Sequence, residues 1–320
     1  MEKKYFIITV DTEGDNQWNC VMRRNGMVPI TTNNGAYLLR FQKLCEKYGF
    51  VPTYLVNWEM AEEARFVDMA RVALKEDKCE IGMHMHAWNC PPFVKIPFNS
   101  KGHNPYAGEY PTKVIYQKMK NLTKKLEDVF QMPIKSHRGG RWYIEPSYVR
   151  MLKKLGYIAD CTVTPGVSWE TCIGQNRKGV DFRRFPKESY ELDIRRVERV
   201  GDSGIMEIPP TIITKPLLKK EQFTVADVKR WFTGNNKIWL RPDGTNLDDM
   251  LYLVTKCLKK DVPYIEFMIH SSELMPGGSP NFKSKGSIEK LYSDMEKLFQ
   301  EIAKNYQGIG LSQYAELLLK

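Results

Sequence analysis

A chain of 320 residues, 42% hydrophobic and 27% charged, has enough apolar sequence for a sizeable core and is not of a disordered or collagen-like class. Its length falls within the range of single α/β barrels. The formal charge of +10 favours an anionic partner, yet the basic residues are dispersed along presumed helix faces, as at 118–125, and no nucleic-acid motif accompanies them.

Taken in chain order, short apolar, β-rich runs fall at 5–10, 51–56, 79–83, 134–137, 157–161, 205–208, 237–240 and 264–269. Amphipathic stretches with apolar positions every three or four residues lie between or after them, at about 34–48, 58–77, 112–130, 145–155, 224–232, 246–260 and 285–305. Alternating strand and helix predicts parallel strands joined by crossover helices in one domain, residues 1–320. Two long connections, 88–111 with five prolines and 165–203, are expected to border a site, because structureless loops of that length in a compact domain are usually functional.

The first run ends in Asp11-Thr12-Glu13. Strand side chains alternate, so Asp11 and Glu13 share a wall if the strand continues through them. Acids after a buried strand also serve as turn and cap residues, so the pair alone decides nothing. The third run carries His84-Met85-His86, again two side chains on one face. Neutral imidazoles suit zinc, and a carboxylate from the first strand would complete a three-ligand set with an open position. The alternative is a pair of buried histidines bonded to backbone. His270 ends the run at 264–269, and His137-Arg138-Gly139-Gly140-Arg141-Trp142 follows the fourth run. In a parallel barrel all these strand ends open on one rim, where the two glycines would let backbone N–H groups approach a ligand.

On these residues the sequence resembles the polysaccharide deacetylases, the NodB-type carbohydrate esterases. Asp11-x-Glu13 resembles the first family motif, Glu80-Ile81-Gly82-x-His84 the second, Arg138-Gly139-Gly140 the third, Asp160 the fourth and Met268-Ile269-His270 the fifth. Two departures stand out: Trp88 occupies the place of the usual second histidine, leaving His86 as the nearby substitute, and glycine follows Arg138 where proline is usual. His270-Ser271-Ser272-Glu273-Leu274, with H-x-H and Trp88, is similar to a bacterial branch associated with surface-polysaccharide biosynthesis.

The resemblance implies a NodB-like, distorted (β/α) barrel of seven or eight mainly parallel strands. It implies metal-dependent removal of N-acetyl groups from amino sugars of a glycan or its precursor. Glu13, His84 and His86 would hold a divalent metal, zinc in the first instance. Asp11 would act as base, oriented by Arg138, and His270 as acid, tuned by Asp160. A backbone N–H of Arg141 or Trp142 would stabilise the oxyanion, and Trp88, Arg141 and Trp142 would contact the sugar. The competing readings are an inactive glycan-binding protein on the same barrel and another metal-dependent hydrolase. In the latter, H-x-H more often sits on the first strand.

Seven cysteines without a C-x-x-C pair suit free thiols in a reducing compartment. The apolar run at 5–10 is too short for a secretory signal, and no apolar run reaches the roughly 18 residues of a membrane span. The expectation is a cytoplasmic enzyme with no transmembrane segment.

Overall fold

The computed structural model describes residues 3–19, 29–99, 101–215 and 236–320; the amphipathic stretch expected at 224–232 lies outside them. The described chain runs β1 (Tyr5–Thr12), α1 (Leu38–Lys47), β2 (Pro52–Val56), α2 (Ala64–Lys75), β3 (Glu80–Met85), α3 (Thr112–Phe130), β4 (Ser136–Gly139) and α4 (Pro146–Lys154). It continues through β5 (Ala159–Asp160), β6 (Tyr190–Glu191), β7 (Met206–Glu207), β8 (Ile212–Thr214), β9 (Lys237–Trp239) and α5 (Leu247–Lys259). It closes with β10 (Tyr264–His270), α6 (Lys285–Ile302), β11 (Gln307–Gly308) and α7 (Leu311–Leu318).

The main sheet has the order β10-β1-β2-β3-β4-β5-β7-β6, with β11 added to β1. Every pairing in it is parallel except β6 with β7. The sheet curls into a half-barrel, the distorted (β/α) barrel that the family resemblance implied, with the parallel strands expected from the alternation of elements. The run at 237–240 does not join this sheet. It forms a separate antiparallel pair with β8, tied to β10 through Met268 N to the Leu240 carbonyl (3.1 Å) and Thr211 N to the Glu266 carbonyl (3.2 Å).

Residues paired across parallel strands point the same way, so the register sorts the side chains into two layers. Phe6, Ile8, Val10, Tyr54, Val56, Ile81, Met83, Phe267 and Ile269 pack outward under the helices in the large core. Ile7, Leu55, Ala159, Cys161, Met206 and Tyr264 point inward and are closed off at the start of the strands by Leu311, Tyr314 and Ala315 of α7. Sequence periodicity missed α7, which is only eight residues long. Its N-terminus is held from β3: buried Glu80 accepts from Ser312 N at 3.1 and 3.0 Å.

Lys118 differs from the solvated helix face expected at 118–125. It is 1% exposed, because its place on α3 faces the loop after β3. There Nζ donates to the carbonyls of Cys90 (2.5 Å) and Pro92 (2.7 Å), and burial brings its pKa down to about 8. It anchors the start of the long 88–111 connection. The six described cysteines are free, and no described helix is long and apolar enough to cross a membrane.

Candidate active site

The inward column changes character along its length. Above the apolar layer, Thr9 and Asp11 of β1, His84 of β3, Arg138 of β4 and Glu266 and His270 of β10 converge, with Asp11 registered against His270 and His84 against Arg138. Arg138 is fully buried. It donates to Asp11 Oδ1 (2.6 Å), Glu266 Oε1 (2.7 Å), Thr9 Oγ1 (2.8 Å) and the Cys161 carbonyl (3.1 Å). Burial alone would favour the protonated carboxyl of Asp11, but the Arg138 guanidinium, with His84 and His270, holds it well below the usual carboxylate range.

Beside this pair lie Glu13, His84 and His86, each buried, with one potential ligand atom apiece within 4.8 Å of one another. His84 Nδ1 lies 3.0 Å from the Arg138 carbonyl. A carbonyl only accepts, so Nδ1 carries the proton and the Nε2 lone pair faces Glu13 Oε2, 3.6 Å away. His86 Nε2 is 3.1 Å from the same oxygen. Glu13 Oε2 is buried and makes no hydrogen bond among the described residues. A buried carboxylate oxygen left without a partner is costly, and ligand atoms around one tetrahedral zinc stand roughly 3.4 Å apart given bonds of about 2.0–2.1 Å. The three residues therefore fit a divalent ion. Burial pushes the His86 imidazole down to about 3, the neutral form that a ligand needs. Burial also opposes charging of His84, but Asp11 and Glu13 outweigh it and raise its pKa.

His270 faces this group from β10, with Nε2 3.7 Å from Asp11 Oδ2 and 3.9 Å from Glu13 Oε1. Its other side rests on residues that the sequence reading missed. Glu273 Oε2 accepts from the His270 backbone N–H (2.9 Å) and lies 3.3 Å from Nδ1, while Arg241 reaches Glu273 at 3.3 Å. Burial disfavours the Glu273 carboxylate, but Arg241 and His270 bring its pKa to about 2. The spacing of Glu273, three residues past His270, and the parity of Glu266 with His270 inside an apolar run were the available signals.

Asp160 requires correction. It pairs with His137 in register, at a short hydrogen bond, and accepts from Thr162 N at 2.9 Å. Both side chains point to the helix side, where His137 Nε2 meets the Tyr148 hydroxyl at 3.2 Å. Asp160 is thus one residue out of phase with the inward column, and Glu273, Asp11 and Glu13 are the acids that face His270. The glycines also act differently from expectation. A Cβ on Gly140 would lie 2.4 Å from the His86 ring, and one on Gly139 would lie 2.2 Å from the Tyr143 carbonyl. The missing side chains admit the protein's own groups, which explains why glycine follows Arg138.

A cavity of about 290 Å³ opens over the cluster, lined by Asp11, Glu13, Gln17, Trp18, His84, His86, Trp88, His103, Asn104, Gly139, Arg141, Trp142 and His270. The 88–111 connection thus supplies Trp88, His103 and Asn104. Trp88 stacks on His86 with ring centroids 4.2 Å apart. Arg141 lies 4.0 Å over the Tyr106 ring and donates to the Asn104 and Ile173 carbonyls.

No family model and no curated protein matches the sequence. Among solved structures, the chain is similar to a Mycobacterium smegmatis protein described as a polysaccharide deacetylase, at 12% identity and a TM-score of 0.53, covering 99% of this chain and 91% of that one. It is also similar to a GH57 branching enzyme from Thermococcus kodakaraensis (11%, TM-score 0.56, 98% of this chain and 71% of that one). A 4-alpha-glucanotransferase from Thermococcus litoralis gives 13% and a TM-score of 0.54, with 99% of this chain matched to only 40% of that one. These likenesses establish a fold shared by carbohydrate-active proteins of more than one chemistry.

Proposed function

We propose that the chain is a metal-dependent hydrolase that removes N-acetyl groups from amino sugars. The observation that carries this reading is Glu13 Oε2, buried and unbonded between two imidazoles, next to an Asp11 carboxylate whose second oxygen is free of Arg138. The glucan enzymes share the fold, but the H-x-H pair with its carboxylate is a ligand set for metal-assisted hydrolysis. The likeness to a described polysaccharide deacetylase agrees with it.

Glu13, His84 and His86 would hold the ion, which supplies Lewis-acid polarisation of the acetamide carbonyl and favours hydroxide near neutral pH. Asp11 stays ionised. Its Oδ1 is fixed by Arg138, so Oδ2 is the oxygen positioned to take the proton of the attacking water. His270 faces the same oxygen, with its ring set by Glu273, and would deliver a proton to the departing amine as the C–N bond breaks. The products are acetate and the free amine, with one water consumed. Trp88 and Trp142 border the sugar, and Arg141 offers its guanidinium at the mouth.

Acetate release from N-acetylhexosamines, free, nucleotide-linked and oligomeric, with the zinc-reconstituted protein tests this reading. Release that stops on chelation is the expected result. Glycan binding without release under any divalent metal would replace the hydrolase by a binding protein on the same fold.

A further inference from the structure

Beyond the cavity, three indoles meet at its rim. Trp142 and Trp169 stack with centroids 6.2 Å apart and planes 10° from parallel, and Trp239 stands across both, at 6.1 Å and 61° from the first and 6.4 Å and 71° from the second. They come from three separate places: the turn after β4, the 165–203 connection and β9. All three are only partly buried, so each leaves some of its ring open to solvent.

Several independent features point to a ligand. Trp142 lines the reactive cavity and contacts Arg138, whose guanidinium carbon is 5.0 Å from its ring centre, so the aromatic patch is continuous with the site. Two successive residues, Arg141 (φ 58°) and Trp142 (φ 54°), adopt the left-handed conformation. Side chains with a Cβ disfavour that conformation, and it gathers where a ligand site enforces it. Lys237 precedes Trp239 by two residues and shares its face of β9. Its Nζ donates to Thr214 Oγ1 at 2.9 Å and lies 3.0 Å from where a Cβ on Gly166 would stand. The ammonium thus lies between β8 and the 165–203 connection, on the face of β9 that carries Trp239.

Flat apolar faces beside a hydrogen-bond donor match a pyranose, whose C–H faces stack while its hydroxyls seek polar partners. The spacing says how. A ring sandwiched between two others needs about 7–8 Å, twice the 3.5–4.0 Å contact distance, and Trp142 and Trp169 are closer than that. The sugar would lie on an outer face of the cluster. We propose that Trp142, Trp169, Trp239 and Lys237 form a subsite for a second pyranose adjoining the reactive cavity, so that the substrate is an N-acetylated oligosaccharide. This rests on the deacetylase reading.

Calorimetry on the full chain carrying Asp11→Asn, with zinc supplied, would compare N-acetylglucosamine with its α- and β-linked trimers. At least one trimer should bind about tenfold more tightly than the monosaccharide, the gain expected of one added stacking contact. Trp239→Ala should bring the ratio close to one, and Trp239→Phe, which keeps an aromatic face, should retain part of it, with thermal unfolding confirming that each variant is folded. Equal binding of monomer and trimers, a preference that survives both Trp239→Ala and Lys237→Met, or no binding at all would overturn the subsite. Acetate release from the monosaccharide by the parent protein without trimer preference would leave the deacetylase standing and remove the subsite. Trimer binding that depends on Trp239, without acetate release under any metal, would do the reverse.

Discussion

The two ends of the inward column are built on opposite terms. At the start of the strands Ile7, Leu55, Ala159 and Tyr264 close against α7, and the buried acid there, Glu80, is met by the N-terminus of that helix. Toward the other end of the same inner face stand Asp11, His84, Arg138 and Glu266, charged or polar and buried, with His270 partly buried beside them. The apolar end stabilises the fold through area removed from water. The charged end is held only because each group has a specific partner, and burial of charge without one is costly. A fold with no further task would have continued the apolar layer.

The largest test of this contrast is Arg138→Met. It leaves Asp11 and Glu266 without the guanidinium that bridges them, so unfolding in urea should show a loss of about 3–5 kcal/mol, together with loss of turnover. Leu55→Ala at the apolar end should cost about 2–5 kcal/mol from the cavity alone and leave the ligands of the proposed ion in place. An Arg138→Met protein as stable as the parent would mean that the charge cluster is not the tightly coupled unit described.

Within the charged end, chemistry and ion binding should separate. Asp11→Asn and His270→Ala are expected to keep zinc by calorimetry and to lower acetate release by about 10²–10⁴ each, the range for one proton-transfer group. His84→Ala and His86→Ala should weaken zinc binding to a similar degree, whereas Trp88→Ala should spare it, since an indole on top of His86 offers no ligand. Parent-like zinc affinity in His86→Ala would transfer the third ligand elsewhere, with His103 of the cavity wall the next candidate.

The contrast was partly legible in the sequence. Asp11, Glu13, His84, His86 and His270 end long strands in which alternation is clear, so the shared face follows from parity alone. Arg138 was placed at the same rim because it follows the fourth run, and its role beside Asp11 came from the family resemblance. Asp160 did not, because β5 is two residues long, and its inward or outward sense is fixed only by pairing with β4. Glu266 was hidden because one acid inside an apolar run has no visible partner when that partner is 128 positions away. Trp239 was hidden for a related reason: the run that carries it pairs with β8 outside the main sheet.

Asp160→Asn sharpens this point with a smaller effect. Its partner is His137 on the helix side, so loss of a charge-assisted hydrogen bond should lower stability by about 1.5–3 kcal/mol, while the pH profile of acetate release keeps its shape. A displaced profile would return Asp160 to the role expected from sequence, next to His270.

The smallest expected effect lies at the edge of the column, on Glu59. Its Oε1 accepts from Gly14 N and its Oε2 from Asn89 Nδ2, both at 2.7 Å, and burial lifts its pKa from the ordinary 4.5 to about 7. Below 4.5 the folded and unfolded chains both hold this proton, and its contribution to stability is fully present. As pH rises from 4.5 to 7 the unfolded chain releases the proton first, so the folded state loses stability across that window. Glu59→Gln carries no titrating group. It can keep the bond from Gly14, and its amide N–H can be met by Asn89 turned over, whose Oδ1 now lacks a partner. Urea unfolding at pH 4.5, 6 and 7.5 should therefore show the parent losing stability relative to Glu59→Gln as pH rises. Parallel behaviour of the two proteins would mean that Glu59 is ionised in the folded state, and that the charged end carries one more carboxylate beside Glu13 than its partners account for.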